Sequence, residues 1–405
     1  MKIGAFARHN RVSIDTIRHY IDLELLIPQK IGKQYQFDLQ CQKDFEEILY
    51  FKSLGFTLLE IKDIFIVKHL GKMTSFQREE FYQNIFKDKH EKVKMQIEAL
   101  NREKSCLEDE LHKLDGKREA KPFPMGISLN WLRLLCCHRC GGPLLLKEAA
   151  VEDNMILSGT LKCNCGVEYS IQDGILFVNP DKAVCEDRVP EPLSYIRHTD
   201  AAYLNHVYKT LEWTVQKIDF KGLSEKVVLE LGSGSGFLLR RIYDDLPENT
   251  VYIAVDCNRG GLLSLKKILE NAEKKKEIFF ICCDFLELPL AEHSADLICD
   301  FAGSSNYGFD HSEFLLNSME RYFKKDAALF GSYIIFRNFS SDSLVPVDCR
   351  ENFRVGPVGR KIEELGFLKQ SDYLSDVVAK GGIYENYFQN GEKVLTYGFA
   401  GKRLG

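Results

Sequence analysis

The chain has 405 residues, which allows two or three domains, and its 45% hydrophobic and 28% charged content is that of ordinary globular protein. The net charge of −5 excludes a general polyanion binder, so any surface for nucleic acid must be local. The sequence has no run of about 18 apolar residues and no signal-peptide pattern, which predicts a cytoplasmic protein without membrane contact.

Residues 1–75 have the spacing of helix, tight turn and helix, with Ser13 placed as the N-cap of the second helix. The spaced elements that carry this pattern are Ile3-Gly4, Val12-Ser13, Thr16-Ile-Arg-His-Tyr20 and Leu25-Leu-Ile-Pro28, with a later helix over Ser53–Lys62. In this order they resemble the MerR family of winged helix-turn-helix regulators. The alternative is a helical module that binds another protein.

The MerR resemblance implies a homodimer that binds double-stranded promoter DNA. The residues it places at the groove and its phosphates are Ser13, Thr16, Arg18, His19 and Tyr20, with Lys30 and Lys33 on the wing. The family usually has Gly-Tyr-Arg-x-Tyr at the wing, whereas this chain has Lys33-Gln-Tyr-Gln-Phe37. One phosphate contact from arginine is therefore missing, and Lys30 and Lys33 would supply the charge nearby.

Residues 76–120 predict a dimerisation coiled coil, because they are rich in Lys and Glu and apolar residues recur every seven positions. The repeat runs through Phe86, Val93, Leu100, Leu107 and Leu114, and its companion core positions are His90, Ile97, Lys104 and Leu111. The two polar positions would weaken the pairing and restrict its register. The alternative, a solvated amphipathic helix, would leave the apolar stripe exposed.

Residues 130–180 carry two cysteine pairs next to glycines, and thiolates on two such turns can form a tetrahedral Zn²⁺ site. The candidate ligands are Cys137, Cys140, Cys163 and Cys165. Thirteen cysteines without a secretion signal argue against a disulfide framework. The segment resembles the zinc ribbon that precedes several class I methyltransferases. Because the C-x-C spacing strains chelation, Cys136 and His138 stay open as substitute ligands, and so does a ribbon without metal.

Residues 195–405 alternate strand and helix patterns after a linker marked by Pro180, Pro190 and Pro192. This alternation is typical of a doubly wound, Rossmann-like α/β sheet. The predicted strands are residues 226–231, 251–256, 278–283, 295–300, 328–335, 371–378 and 394–399.

A glycine loop follows the first of these strands, and glycines there let the backbone turn tightly and approach a ligand. Asp256 ends the second strand, where a carboxylate can accept hydrogen bonds from ribose hydroxyls. With Asp284-x-x-x-Leu-Pro289 and Ala295-Asp-Leu-Ile298, this pattern resembles class I S-adenosylmethionine methyltransferases. A nicotinamide-binding fold would have a glycine in place of Phe237.

The methyltransferase resemblance implies a binding site for S-adenosylmethionine. Its residues would be Glu230, Gly232, Gly234 and Gly236 near the methionine part, Asp256 at the ribose, and Asp284 with Phe285 at the adenine. Asp256 and Asp284 have the alternative of capping helices or lying exposed. The methyl acceptor is not legible, since Asn-Pro-Pro-Tyr and Pro-Cys motifs are both absent.

Several side chains are candidates for contact with the acceptor, although each has a structural role as its alternative. The catalytic candidates are Asp300, Asn306 and Tyr307, followed by His311, and the residues that could cover them are Tyr195, His198 and Tyr203. Displacement at a sulfonium methyl needs mainly in-line positioning, so no fixed catalytic motif is required.

The sequence thus predicts a multidomain protein: an all-α winged helix-turn-helix domain (1–75), a coiled coil (76–120), a small β zinc ribbon (130–180) and a Rossmann-like methyltransferase domain (195–405). One hypothesis is a regulator whose methyltransferase-like domain binds S-adenosylmethionine and methylates or senses an acceptor. The other is a working methyltransferase of RNA or a small molecule, whose DNA-binding part controls its own expression. A structural scaffold has little support.

Overall fold

The computed structural model describes residues 1–32, 34–70, 73–115, 122–179, 192–385, 387 and 389–404. The predicted DNA contact Lys33, residues 116–120 of the coiled-coil segment and the prolines Pro180 and Pro190 lie outside the described residues. The chain divides into two compact units, Met1–Glu119 and Ala120–Gly405. Among the described helices, none combines the length and the apolar character that a membrane span requires.

The first unit consists of helices and a two-stranded antiparallel ribbon. Ser13 begins the second helix as predicted, because its hydroxyl oxygen accepts a hydrogen bond from the Thr16 N–H at 3.0 Å. Asp38 caps the third helix in the same way, through the Cys41 N–H at 2.9 Å. The elements are α1 (Ile3–His9), α2 (Ile14–Asp22), β1 (Gln29–Ile31), β2 (Gln34–Gln36), α3 (Leu39–Ser53), α4 (Leu58–Leu70) and α5 (Ser75–Asp115).

An aromatic core holds the first unit together. The Phe6 ring of α1 stacks on Phe37 with 4.3 Å between centroids, and Phe45 of α3 meets Phe6 edge-on at 5.8 Å. All three rings are buried, and burial of such rings contributes roughly 2–3 kcal/mol each. This packing holds the helix pair α1–α2 against α3. It thereby positions α2, which carries most of the predicted DNA contacts.

Helix α5 is 41 residues long, and only its first part packs on this core. Its partly buried core contacts are Phe81, Tyr82, Ile85 and Phe86. Lys89 forms an ion pair with Glu60 of α4 at 2.8 Å, and that hydrogen bond lowers the pKa of Glu60 to about 2. Beyond this point the apolar repeat is exposed: Leu100 is 62% and Leu107 66% accessible.

The second unit is built on one large sheet flanked by helices. The elements of its first half are β3 (Ile127–Ser128), β4 (Leu144–Glu152), β5 (Met155–Cys163), β6 (Glu168–Gln172), β7 (Ile175–Phe177), α6 (Pro192–His198), α7 (Ala201–Lys217), β8 (Val227–Leu231), α8 (Phe237–Ile242), β9 (Val251–Asp256) and α9 (Arg259–Leu269). The second half adds β10 (Glu277–Cys282), β11 (Ala295–Phe301), α10 (Gly303–Gly308), α11 (Leu315–Met319), β12 (Phe323–Asn338), α12 (Val355–Glu364), β13 (Phe367–Leu374) and β14 (Lys393–Arg403).

The central strands lie in the order β10-β9-β8-β11-β12-β14-β13. All pairs are parallel except those of β14, which runs antiparallel to both of its neighbours. Strands β8 and β9 have almost no exposed residue, because helices cover both faces of the sheet. This is the doubly wound architecture that the sequence predicts. Strand β13 ends at Leu374, before the predicted residue 378, and Val378 forms only an isolated bridge to Val394.

The cysteine-containing segment continues this same sheet. Strand β7 pairs in parallel with β10, Leu176 lying opposite Ile281. Strands β6, β5 and β3 follow in order, and β4 pairs with β5, so twelve strands of the described residues form one sheet. The sheet order reverses between β8 and β11, and in such folds ligands bind at the carboxyl ends of the strands beside that reversal.

Candidate functional site

The three glycines after β8 all have positive φ, but they are needed for two different reasons. A Cβ at Gly236 would lie 2.3 Å from Leu265 of α9, and one at Gly232 would lie 3.0 Å from the Gly303 Cα. A Cβ at Gly234 would meet nothing within 4 Å. Gly232 and Gly236 therefore serve packing, whereas Gly234 presents bare backbone to open space, as a ligand cradle requires.

Asp256 ties the glycine loop to the end of the next strand. Its Oδ2 accepts a hydrogen bond from the Gly234 N–H at 2.7 Å, and its Oδ1 accepts one from the Asn258 N–H at 2.8 Å. Burial raises the pKa of this carboxyl. A carboxylate has about four lone-pair positions, so Asp256 can hold the loop and still accept a further hydrogen bond from a ribose hydroxyl.

A cavity of about 260 Å³ opens beside the loop. Glu230 and the loop residues from Gly232 to Ser235 form part of its lining. The Glu230 Oε2 and Ser233 Oγ atoms are buried here without a hydrogen bond of normal geometry among the described residues, although Ser233 stands close enough to Glu230 to lower the pKa of that carboxyl. Buried polar atoms normally have partners, so these two and the open Gly234 cradle fit a polar ligand such as the methionine part of S-adenosylmethionine.

A second part of the cavity lining, which we call the aromatic end, combines residues from α6, α7, β11 and the segment between β13 and β14. It is lined by Tyr195, Tyr203, Phe301, Tyr384, Glu385 and Tyr387. Sequence reasoning found Tyr195 and Tyr203 but missed the other three polar residues, since they lie in an irregular segment without a motif. His198 is turned away, with its Nδ1 2.8 Å from the Ser194 carbonyl oxygen.

The catalytic candidates after β11 occupy different positions. Asp300 is fully buried, which raises its pKa to about 6, and its Oδ1 accepts a hydrogen bond from the Ser304 N–H at 2.8 Å. It therefore orders the start of α10. Asn306 of the same helix lines the cavity, whereas the Tyr307 ring stacks on His311 at 3.9 Å. Only Asn306 of this group lies at the cavity wall.

The proposed adenine residues lie at the end of β10. Asp284 accepts a hydrogen bond from the Leu286 N–H at 2.9 Å and caps a short turn, as its structural alternative predicts. The Phe285 ring comes within 3.8 Å of the Cβ position of Gly232, so it borders the glycine loop. Both side chains are partly exposed.

The predicted DNA-reading residues lie mostly on the exposed surface of α2 and the β1–β2 ribbon. Ser13, Arg18, His19 and Lys30 are exposed, and Arg18 forms an ion pair with Asp15 at 3.0 Å that solvent screens. Tyr20 differs from this group: it is 3% exposed, packs in the core, and its hydroxyl accepts a hydrogen bond from the Lys52 Nζ at 3.3 Å. Thr16 is half-buried.

The four predicted metal ligands come together in the cysteine segment. The sulfur atoms of Cys137, Cys140, Cys163 and Cys165 all lie within 4.8 Å of one another. The Cys137–Cys165 and Cys140–Cys163 pairs are 3.5 and 3.4 Å apart, close to the roughly 3.8 Å edge of a tetrahedral zinc–thiolate site.

The turns beside the cysteines explain how both members of the C-x-C pair reach the cluster. Gly141 (φ 67°) and Gly166 (φ 89°) adopt left-handed conformations that close the two turns. The substitute ligand His138 is instead engaged with the Tyr169 hydroxyl at 2.9 Å, and Cys136 lies outside the cluster.

Comparison with known proteins identifies a domain in each unit. Residues 1–65 match the family of MerR HTH regulatory proteins, and residues 223–370 match a methyltransferase domain family. The chain is therefore a fusion of a MerR-type helix-turn-helix domain, the class of domain that binds DNA, with a methyltransferase domain. A comparison with curated proteins finds no match.

The chain is also similar to solved structures, at low identity. The MccD protein shares 12% identity over 48% of this chain and 96% of its own, with a TM-score of 0.38. A SAM-dependent methyltransferase from Aquifex aeolicus shares 20% identity over 51% of this chain and 94% of its own, with a TM-score of 0.32. The [4+2]-cyclase SpnF shares 12% over 49% and 81%, with a TM-score of 0.36. The family matches, and not these likenesses, identify the domains.

Proposed function

We propose that this protein is a transcriptional regulator of the MerR type whose second unit binds S-adenosylmethionine and methylates or senses a methyl acceptor. The observation that carries the proposal is the cradle at Gly234, where open backbone meets the buried Glu230 and Ser233 oxygens in one cavity. Bound S-adenosylmethionine would supply the electrophilic methyl group. The aromatic end then gives room for a second ligand beside it.

The described residues would act mainly by positioning. Asp256 would hold both the loop and the ribose, and Phe285 would border the adenine, while Asp300 orders α10 and thereby places Asn306 at the cavity wall. Bringing two reactants together in a fixed orientation can supply most of the acceleration of a methyl transfer. A general base is needed only where the acceptor must lose a proton before the transfer.

For the first unit, we propose that the α5 helices of two copies of the chain pair. The dimer would then present two helix-turn-helix domains to promoter DNA. The exposed leucine repeat of α5 supports pairing, and the exposed Ser13, Arg18, His19 and Lys30 are available to the groove and its phosphates. In the second unit, the cysteine cluster would hold one Zn²⁺ as a structural ion. Both assignments suit a cytoplasmic protein.

The second candidate function is an active methyltransferase of RNA or a small molecule that controls its own gene. It is favoured by the presence of Asn306, Tyr384 and Glu385 in the same cavity as the cradle, since these side chains could contact a methyl acceptor. An assay with isotopically labelled S-adenosylmethionine against total RNA and a small-molecule extract separates turnover from sensing. A labelled product supports the enzyme, whereas binding without any product supports the sensor.

Calorimetry with S-adenosylmethionine tests the site. Gly234→Val places a branched side chain in the cradle, and Asp256→Ala removes the ribose acceptor, so both should reduce affinity at least about tenfold. Gly32→Val is the matched control, because Gly32 also has positive φ (61°) and nothing within 4 Å of its Cβ position, but lies in the first unit. Wild-type affinity in Gly234→Val and Asp256→Ala would place the cofactor elsewhere, and no binding by the wild type would overturn the proposal.

A further inference from the structure

Four tyrosines from two distant parts of the chain meet at the aromatic end of the cavity. Tyr195 and Tyr203 come from α6 and α7, and Tyr384 and Tyr387 from the segment between β13 and β14. The hydroxyl oxygens of Tyr203 and Tyr387 are 2.6 Å apart, and the rings of Tyr195 and Tyr384 lie 5.8 Å apart between centroids. These contacts hold the rings in a fixed arrangement at the cavity wall.

A buried carboxylate stands among these rings. Glu385 is 5% exposed and lines the cavity, and its Oε2 accepts a hydrogen bond from the Gly382 N–H at 2.7 Å. Its charge adds to burial in raising the pKa of the Tyr195 and Tyr203 hydroxyls, which places it close to both. Neither the tyrosines nor Glu385 supplies a positive charge.

The cavity wall is negative or neutral throughout its described residues, which include Glu230 and Glu385 but no lysine, arginine or histidine. A buried carboxylate without a cationic partner is costly, so a cationic ligand would offset that cost. Tyrosine faces also attract cations, most strongly when water is excluded. At the aromatic end a carboxylate or phosphate ligand would meet repulsion from Glu385, and a neutral alcohol would gain neither attraction.

We propose that the methyl acceptor or sensed ligand is a small alkylamine, which binds as its ammonium cation between Tyr195, Tyr203, Tyr384, Tyr387 and Glu385. This inference rests on the proposed function, since it places the amine beside the methyl donor. The size of the cavity, about 260 Å³ shared with part of the cofactor, favours a small amine over a polymer side chain.

Methyl transfer to such an amine conserves atoms and charge if Glu385 accepts the proton that the ammonium loses. The ammonium first gives its proton to the Glu385 carboxylate, which frees the nitrogen lone pair. That lone pair forms the nitrogen–carbon bond to the methyl group while the carbon–sulfur bond breaks and its electron pair stays on sulfur. The sulfonium becomes a neutral thioether, and the positive charge moves to the methylated ammonium product. In a sensor the ammonium would simply remain bound.

A pair of isosteric compounds tests the charge preference. Choline and 3,3-dimethylbutan-1-ol have the same shape, but only choline carries a positive charge. Calorimetry on the full-length protein, with and without S-adenosylhomocysteine, should show choline binding at least about tenfold more tightly. Equal affinities, or binding of neither compound, would overturn the amine proposal.

Variants at the aromatic end separate ring and charge effects from folding. Tyr384→Phe keeps the ring and loses only the hydroxyl that meets the Ser194 Oγ at 2.9 Å, so it should keep most choline affinity. Tyr384→Leu and Glu385→Gln should each lower the affinity for choline about tenfold or more. Tyr208→Leu is the control on α7, because Tyr208 is 59% exposed and does not line the cavity.

Separate titration with S-adenosylmethionine distinguishes a failure of the amine proposal from a failure of the proposed function. If S-adenosylmethionine binds but choline is not preferred, the amine proposal fails and the proposed function stands. If S-adenosylmethionine does not bind, the proposed function fails, and the choline titration without cofactor still reports on the tyrosines and Glu385. Equal loss of choline affinity in Tyr384→Phe and Tyr384→Leu would also count against a cation bound at the ring face.

Discussion

At the scale of single residues, Gly234 and Gly236 share a left-handed backbone but should respond differently to the same substitution. Alanine at either position costs about 1 kcal/mol of backbone strain. Gly236→Ala must also displace Leu265, 2.3 Å from the new Cβ, and should destabilise the second unit by about 1–3 kcal/mol more than Gly234→Ala.

Thermal unfolding of the two alanine variants, compared with the wild type, measures this difference. Cofactor titration should show the reverse order, with the larger loss of affinity in Gly234→Ala. Equal melting temperatures for the two variants would mean that Gly236 and Leu265 do not pack as closely as described.

Glu230 should make cofactor binding depend on pH. Burial raises its pKa to about 7, so near pH 6 most of the protein carries it protonated. A cationic ligand favours the ionised form and lowers this pKa, so binding below about pH 7 must release a proton. Affinity for S-adenosylmethionine should therefore rise as pH increases towards about 7 and level off above it.

Calorimetry near pH 6 in two buffers of different ionisation enthalpy counts the released proton. We expect up to about one proton per site in the wild type and close to none in Glu230→Gln. Near pH 8.5, where Glu230 is already ionised, the wild type should release none. A Glu230→Gln protein that releases as many protons as the wild type would assign the effect to another group.

At the scale of elements, the exposed part of α5 predicts dimerisation. Glutamate at Leu100 and Leu107, which are 62% and 66% accessible, would place charges in the apolar seam of a pair of helices. The double variant Leu100→Glu/Leu107→Glu should sediment as a monomer at concentrations where the wild type is a dimer. Arg102→Glu, on the opposite side of the heptad, is the control for added charge and should leave the dimer intact. A wild-type monomer would refute the coiled coil.

The cysteine cluster predicts one zinc ion per chain. Cys140→Ser removes a thiolate ligand, so both the metal content and the melting temperature should fall, because zinc–thiolate bonds contribute directly to folding. Cys136→Ser is the matched control, since Cys136 lies next to the cluster but outside it. Elemental analysis that finds zinc lost from Cys136→Ser and kept in Cys140→Ser would reassign the ligands.

The elements of the second unit were predictable because each carries its own local signal. Apolar runs that end in Gly232, Asp256 or Asp300 mark the central strands to within a few residues. The pairing of β7 with β10 had no such signal, since it joins residues about a hundred positions apart. Tyr384, Glu385 and Tyr387 were not predicted as cavity residues for the same reason, because only the folded chain brings their irregular segment to the cavity. The burial of Tyr20 could have been predicted from the sequence, because Tyr20 lies three residues after Ile17 on the apolar side of α2.

At the scale of the whole molecule, a regulator requires that ligand binding in one unit alter DNA binding or transcription through the other. Such coupling is reciprocal: if a ligand changes DNA affinity, DNA changes the affinity for that ligand by the same factor, commonly about five- to 150-fold. DNA affinity and run-off transcription should therefore be measured with and without S-adenosylmethionine and an amine. The affinity for DNA should also fall steeply as the salt concentration rises.

Arg18→Ala provides the control for this experiment. It removes an exposed cation from α2, so it should weaken DNA binding on all sequences and leave cofactor affinity in the absence of DNA unchanged. If neither DNA affinity nor transcription responds to saturating ligand, the two domains act separately, and the autoregulated enzyme becomes the better description.

The pairing of β7 with β10 has a practical consequence for anyone who divides this chain. Cutting before residue 195, at the start of the predicted methyltransferase domain, would remove β7 and leave β10 as a bare sheet edge. The uncovered strand carries Phe280, Ile281 and Cys282, and its unpaired N–H and C=O groups would offer a template for strands of other molecules. Such a fragment should precipitate or form β-rich aggregates during expression, whereas a fragment that begins near residue 122 keeps the edge covered.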